Sequence, residues 1–168
     1  GGSCGNTMAG FAALGGKGAY IGKVSDDQFG GVFRHDMRAI GCDFDTPAGN
    51  DGPTTGRCLV LVTPDAQRTM CTYLGAASGL TPDDLDEGLL QSAKVVYMEG
   101  YLFDQPPAQQ AFVDAAKIAH QAGGEVSVTL SDGFCVDRHR AAFLGLVENH
   151  IDILFANEDE ICSLYGVD

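Results

Sequence analysis

Four places in this chain carry residue types that bind polar or charged ligands. The first is Gly1-Gly2-Ser3-Cys4-Gly5-Asn6. Glycines have no Cβ, so a ligand can approach the backbone closely. A hydroxyl (Ser3) and a carboxamide (Asn6) follow, and an apolar helical run starts at once. That build suits a small polar ligand at a helix N-terminus, where free backbone N–H groups point outward. The second is Asn157-Glu158-Asp159-Glu160. Asn157 and Glu160 share one helix face by their i, i+3 spacing. A carboxamide can donate to phosphate, and a glutamate can hold Mg²⁺ through water. The same run also reads as a plain acidic helix cap, because carboxylates at a helix start complement its dipole. The third is a pair of acids just past predicted strands. Glu99-Gly100 reads either as a contact to a ligand hydroxyl or as a solvated loop acid. Turn chemistry alone accounts for Asp132-Gly133. The fourth is Arg68, which reads as a phosphate clamp or as a solubilising charge on an exposed strand.

These residues need elements to hold them. Ser3 or Asn6 can cap a helix through about Leu14, stopped by Gly15-Gly16. Residues 19–24 read as a short buried strand. Ser25-Asp26-Asp27 caps a second helix whose apolar residues Phe29, Phe33, Met37 and Ile40 fall on one stripe, ended by Gly41. Turn residues follow Asp43. Residues 57–63 and 68–74 then read as a β-hairpin with apolar side chains on both faces, and a hairpin alone is barely stable. It must cover a ligand cleft or a partner. Thr81-Pro82-Asp83-Asp84 signals a helix start. Strands at 95–98, 126–130 and 151–156 then alternate with helices at 106–122, at 138–147 and from about 158. Such alternation predicts a parallel α/β sheet with right-handed crossovers, and ligands at the strands' carboxyl ends.

Composition narrows the function. The 168 residues carry a net charge of −13, which argues against nucleic acid or an anionic membrane as partner. No apolar run is long enough to span a bilayer. The six cysteines, Cys4, Cys42, Cys58, Cys71, Cys135 and Cys162, lack C-x-x-C pairs. They read as buried small hydrophobes in a reducing, cytoplasmic compartment. Gly15-Gly16-Lys17-Gly18 lacks P-loop spacing, and neither a dinucleotide fingerprint nor a nucleophile elbow occurs. A nicotinamide-binding domain would fit the α/β pattern but needs that missing glycine fingerprint.

Three segments in order resemble the PfkB (ribokinase-like) family of carbohydrate and nucleoside kinases. They are Gly1-Gly2-Ser3-Cys4-Gly5-Asn6, then Ile21-Gly22-Lys23-Val24-Ser25-Asp26-Asp27-Gln28-Phe29-Gly30, then Asn157-Glu158-Asp159-Glu160. The hairpin falls where that family carries its lid. The resemblance implies a three-layer ribokinase-like α/β fold, partial here, across residues 1–168, with a lid insertion at about 43–76. It implies transfer of the ATP γ-phosphate to a primary hydroxyl of a sugar or nucleoside, with Mg²⁺. Gly2, Ser3 and Asn6 match substrate-binding positions, and Glu99 matches a further contact. Asn157 and Glu160 match the N-x-x-E motif of the nucleotide and metal region. Arg68 resembles a phosphate-approaching lid arginine of the adenosine-kinase branch.

The family's catalytic Asp lies in a D-T-x-G-A-G-D motif, which does not occur here and is expected beyond Asp168. The strand that precedes the glycine motif is missing too. The chain therefore reads as an internal piece of a larger protein, inactive by itself. Ser3 stands where sugar-specific ribokinases often carry Lys. The run Thr63-Pro64-Asp65-Ala66-Gln67-Arg68-Thr69-Met70 looks closer to bacterial adenosine-kinase-like members. A nucleoside such as adenosine is the expected substrate, with a ribose- or fructose-type sugar as the alternative. The rival from another class is a non-catalytic module that binds a nucleoside or dimerises through the lid.

Overall fold

The computed structural model describes residues 2–167, so Gly1 of the glycine motif lies outside the described residues. Three parallel strands form the main sheet: β5 (Val95–Glu99), β6 (Glu125–Thr129) and β7 (Ile153–Phe155), paired in that order with Glu99 level with Thr129 and Thr129 level with Phe155. The crossovers are α4 (Pro106–Gln121) and α5 (Gly133–His150), and α6 (Glu158–Tyr165) follows β7. The predicted α/β class with parallel strands is what the chain adopts.

Strand alternation assigns the two faces of this sheet. Val96, Met98, Val126 and Val128 join Phe103, Phe112, Phe143, Leu146 and Leu164 in the larger core. The Phe103 and Phe143 rings pack there with centroids 4.3 Å apart. Tyr97 and Glu99 alternate with Val96 and Met98, and so face away from this core.

α1 (Ser3–Ala13) starts without the side-chain cap expected from Ser3 or Asn6. Its N-cap is Gly2, at φ 125°, a conformation that favours glycine. The strand expected over 19–24 shrinks to β1 (Gly18–Ala19), parallel to β2 (Cys42–Asp43). Tyr20 still donates to the Asp43 carbonyl, and the next pairing is an isolated bridge from Ser25 to Gly49.

α2 (Gln28–Ala39) is capped by Asp27 as expected. Its apolar stripe is only half used. Met37 is buried, and Phe33 packs edge-to-face with Tyr20 and Phe44 in a second, smaller core. Phe29 and Ile40 at the stripe's ends remain exposed. The hairpin forms as β3 (Thr55–Val62) and β4 (Arg68–Gly75), antiparallel.

The Thr81-Pro82 signal produces one 3-10 turn, Pro82–Asp84, rather than a helix. Asp84 closes a capping box with Thr81 and also accepts from Lys23 Nζ at 2.9 Å. The helix proper, α3 (Glu87–Ser92), restarts under a new cap, Asp86. α5 begins five residues before the expected 138, capped by Asp132, and departs from helical geometry at His139, whose ring meets Asp104 at 2.9 Å. All six cysteines are free thiols. Cys42 and Cys135 are buried as expected. Cys58 and Cys71 are not, because the hairpin that carries them stands clear of the core.

Candidate functional site

The parallel register brings three strand ends to one edge of the sheet. Glu99 ends β5, Ser131 lies just past β6, and Asn157 follows β7. Two strand spacings put Phe155 about 10 Å from Glu99 across this edge, and Asn157 lies two residues further along the chain.

Glu99 is the most unusual residue of the edge. It is only 8% exposed, and its Oε2 is buried with no hydrogen-bond partner. Its Oε1 lies 3.4 Å from Ser131 Oγ, which is equally close to the Thr129 carbonyl. A buried carboxylate oxygen without a donor costs free energy, so this is a place where a donor is wanted. Ser131 takes φ 69°, in the left-handed region that glycine favours. Sequence reasoning missed Ser131, because attention fell on the Asp132-Gly133 turn that follows it. The one available signal was its place directly after a strand.

The N-terminal turn of α1 borders Glu99. Burial, reinforced by the Glu99 carboxylate and then Cys42, pushes the Cys4 thiol up to about 12. Burial raises Tyr97 to about 12 as well, again with Glu99 adding to it. Tyr20 is raised by burial, then by Cys4 and Glu99. These groups stay protonated at neutral pH. They can donate hydrogen bonds, but Cys4 is no nucleophile. On the same turn Gly2, Ser3 and Asn6 are exposed. A Cβ at Gly2 would meet no atom within 4 Å, so backbone conformation rather than crowding requires glycine there. At Gly5 it would press on the Phe33 ring at 3.3 Å, so that glycine lets α1 pack on α2.

Asn157 and Glu160 form a capping box. The Asn157 side chain accepts from Glu160 N at 2.8 Å, and Glu160 Oε2 accepts from Asn157 N at 3.1 Å. Asn157 Nδ2 also donates to Glu160 Oε1 at 3.1 Å. The carboxylate is therefore buried and held by its own helix end. Tyr101 links this region to the rest of the edge. Its hydroxyl is raised by burial, then by the charges of Asp132, Glu99 and Glu160.

Among the described residues no group of three His, Cys, Asp or Glu side chains stands close enough to bind a metal directly. Both Glu160 oxygens already accept from Asn157, so a Mg²⁺ ion beside this residue would have to be held through water. Arg68 stands apart from the other candidates. It opens β4 and pairs with Val62 near the hairpin tip, and its side chain is in no hydrogen bond or ion pair among the described residues. No helix among the described residues is long and apolar enough to cross a membrane.

Comparison with known proteins agrees with this architecture. The adenosine kinase structure from Sinorhizobium meliloti superposes with a TM-score of 0.95 at 49% identity, over 100% of this chain and 52% of that one. An adenosine kinase from Anopheles gambiae gives 0.86 at 26% identity, over 99% of this chain and 50% of that one. A fructokinase from Solanum tuberosum is 30% identical over 129 residues, covering 76% of this chain and 40% of the relative. The chain thus spans about half the length of these proteins. The family model for pfkB family carbohydrate kinases matches residues 1–168, and the chain belongs to that family.

Proposed function

We propose that the full-length protein carrying this chain phosphorylates a primary hydroxyl of a nucleoside, adenosine in the first place, with ATP and Mg²⁺. The observation that carries this reading is the unpartnered, buried Oε2 of Glu99 beside the α1 N-terminus. Such an oxygen selects a ligand that brings a hydroxyl donor. In this reading Gly2, Ser3 and Asn6 form the floor that binds ribose hydroxyls, and Glu99 accepts from one of them. The hairpin is a lid, with Arg68 at its outer end as a phosphate clamp. Asn157 and Glu160 lie on the nucleotide and metal side. When bound, ATP would supply the phosphoryl group and Mg²⁺ would offset the charge of its phosphates, which the carboxylates Glu99, Asp132 and Glu160 cannot do. These residues contribute positioning and exclusion of water. None of them is assigned as the proton acceptor. Residues 1–168 act as one partial kinase domain with its lid at about 43–76, in a reducing cytoplasm.

The 49% identity to an adenosine kinase over the whole chain supports the nucleoside, and the 51% identity to a probable sugar kinase from Rhizobium etli supports a sugar just as well. The fructokinase relative supports a sugar as the second reading. Initial rates of the full-length protein with adenosine, ribose and fructose decide between them. We expect adenosine to give the highest kcat/KM, and Asn6→Ala or Glu99→Gln to raise its KM about tenfold or more. A sugar that outranks adenosine moves the assignment to the sugar. Nucleoside binding without turnover on any acceptor makes the protein a binding module.

A further inference from the structure

The hairpin meets the body at its root alone. In β3 only Thr55 is buried, and in β4 only Gly75, which pairs with it. The residues between them point to solvent, apart from the half-buried Gly56. Whatever sets the angle of the hairpin therefore acts at this root.

One carboxylate dominates the root. Asp27 Oδ1 accepts from Gly30 N at 2.8 Å and from Thr55 Oγ1 at 2.7 Å, and its Oδ2 accepts from Thr55 N at 2.9 Å. Thr55 Oγ1 accepts in turn from Ser25 N at 3.0 Å. Capping α2 needs only the first of these bonds. The other two tie the first residue of the lid strand to the helix start, and charge-assisted bonds of this kind are the strong ones. Close packing supports the junction. A Cβ on Gly30 would fall 2.0 Å from the Ser25 carbonyl, and one on Gly75 would fall 2.1 Å from the Thr54 carbonyl. Arg57, two residues into the lid, lies 5.6 Å from the Phe29 ring of α2 and 5.8 Å from the Tyr73 ring of β4.

We infer that Asp27, through Thr55, is the positioning residue of the lid: it fixes the pose of the β3–β4 hairpin over the acceptor site. This rests on the lid reading above. Asp27 touches no reacting atom in this role.

Two variants separate the clamp from the cap. Asp27→Asn replaces one acceptor oxygen by a donor NH₂, so either Gly30 N or Thr55 N loses its partner. Thr55→Val removes the hydroxyl without touching the cap, and Thr55→Ser keeps it. In the full-length protein, amide hydrogen exchange and acceptor kinetics are measured together. We expect exchange over residues 54–76 to quicken about tenfold in Asp27→Asn and Thr55→Val, with residues 95–99 and 125–129 unchanged. The acceptor KM should rise about tenfold with kcat changed less than about threefold, and Thr55→Ser should restore both. Unchanged hairpin exchange in both variants overturns the inference and leaves Asp27 a helix cap. Faster hairpin exchange with normal kinetics overturns it too, because the pose would then not matter to the acceptor. If Asp27→Asn unfolds throughout, Thr55→Val decides. A wild-type protein with no kinase turnover refutes the proposed function, and the exchange result still tests the clamp.

Discussion

At the scale of single residues, Glu160 shows how one carboxylate can serve two ends. Its oxygens accept from the Asn157 backbone N–H and side-chain amide, which closes the start of α6. It also adds to the acidic surroundings of Tyr101 at the sheet edge. The geometry accounts for the cap reading of Asn157-x-x-Glu160, and the metal reading needs its own test. Glu160→Gln keeps the shape and removes the charge. It should lower stability by about 1 kcal/mol through the weakened cap, read from urea unfolding. If Glu160 also acts through Mg²⁺, the variant should need severalfold more Mg²⁺ for half-maximal rate and show a lower kcat. A stability loss with normal Mg²⁺ dependence would reduce Glu160 to a cap.

At the scale of elements, the sheet edge depends on strands being held in register from their other end. Asp152, just before β7, accepts from Val126 N and meets the His120 ring, each at 2.8 Å. One carboxylate thus ties α4, β6 and β7 together. Its hydrogen bond from Val126 N, and then that from His120, hold Asp152 below the usual carboxylate range. The sign follows from linkage. A depressed native pKa stabilises the fold fully above the ordinary value near ~4, and that contribution disappears as pH falls through the lower native value. Asp152→Asn should lower the urea midpoint at neutral pH and flatten its decline on the acid side. A parallel decline in wild type and variant between pH 2 and 5 would mean the strand tie carries no pH-dependent stability.

For the whole molecule, the exposed hairpin is the main unsolved packing problem. Leu59 is 72% exposed, Val62 65%, and Leu61 and Met70 62% each, and they occupy both faces of the ribbon. At about 25 cal/mol per Å² of apolar area, covering three or four such side chains is worth several kcal/mol. One face closing over the acceptor site would satisfy only half of this surface. We therefore expect the other face to pair with the lid of a second copy. The net charge of −13 opposes association in general, so pairing should be stronger at moderate salt. Sedimentation of the full-length protein should show a dimer at micromolar concentration, weakened by Leu59→Asp or Leu61→Asp. A monomer at high micromolar concentration removes the paired lid and leaves the substrate-covering lid intact.

The sequence by itself determined what depends on local pattern. Alternation of strands and helices foretold the parallel sheet, two β-like runs around Pro64-Asp65-Ala66-Gln67 foretold the hairpin, and Ser25-Asp26-Asp27 foretold the start of α2. Three ordered motifs were enough for the family. The remaining features depend on partners far apart in the chain. Glu99 read equally well as a solvated acid until β6 and α1 closed around it and left Oε2 without a donor. Ser131, just before the Asp132-Gly133 turn, carried no signal until its hydroxyl met Glu99, 32 positions away. Thr81-Pro82 promised a helix, and its capping box with Asp84 does form, but Lys23, 61 residues back, also holds Asp84 and only one 3-10 turn follows before Asp86 caps α3. Asp27 read as a cap, and its bonds to Thr55 appear only when α2 and the hairpin root meet. Local propensity sets which elements form. Burial and long-range hydrogen bonding set which side chains are left with something to bind.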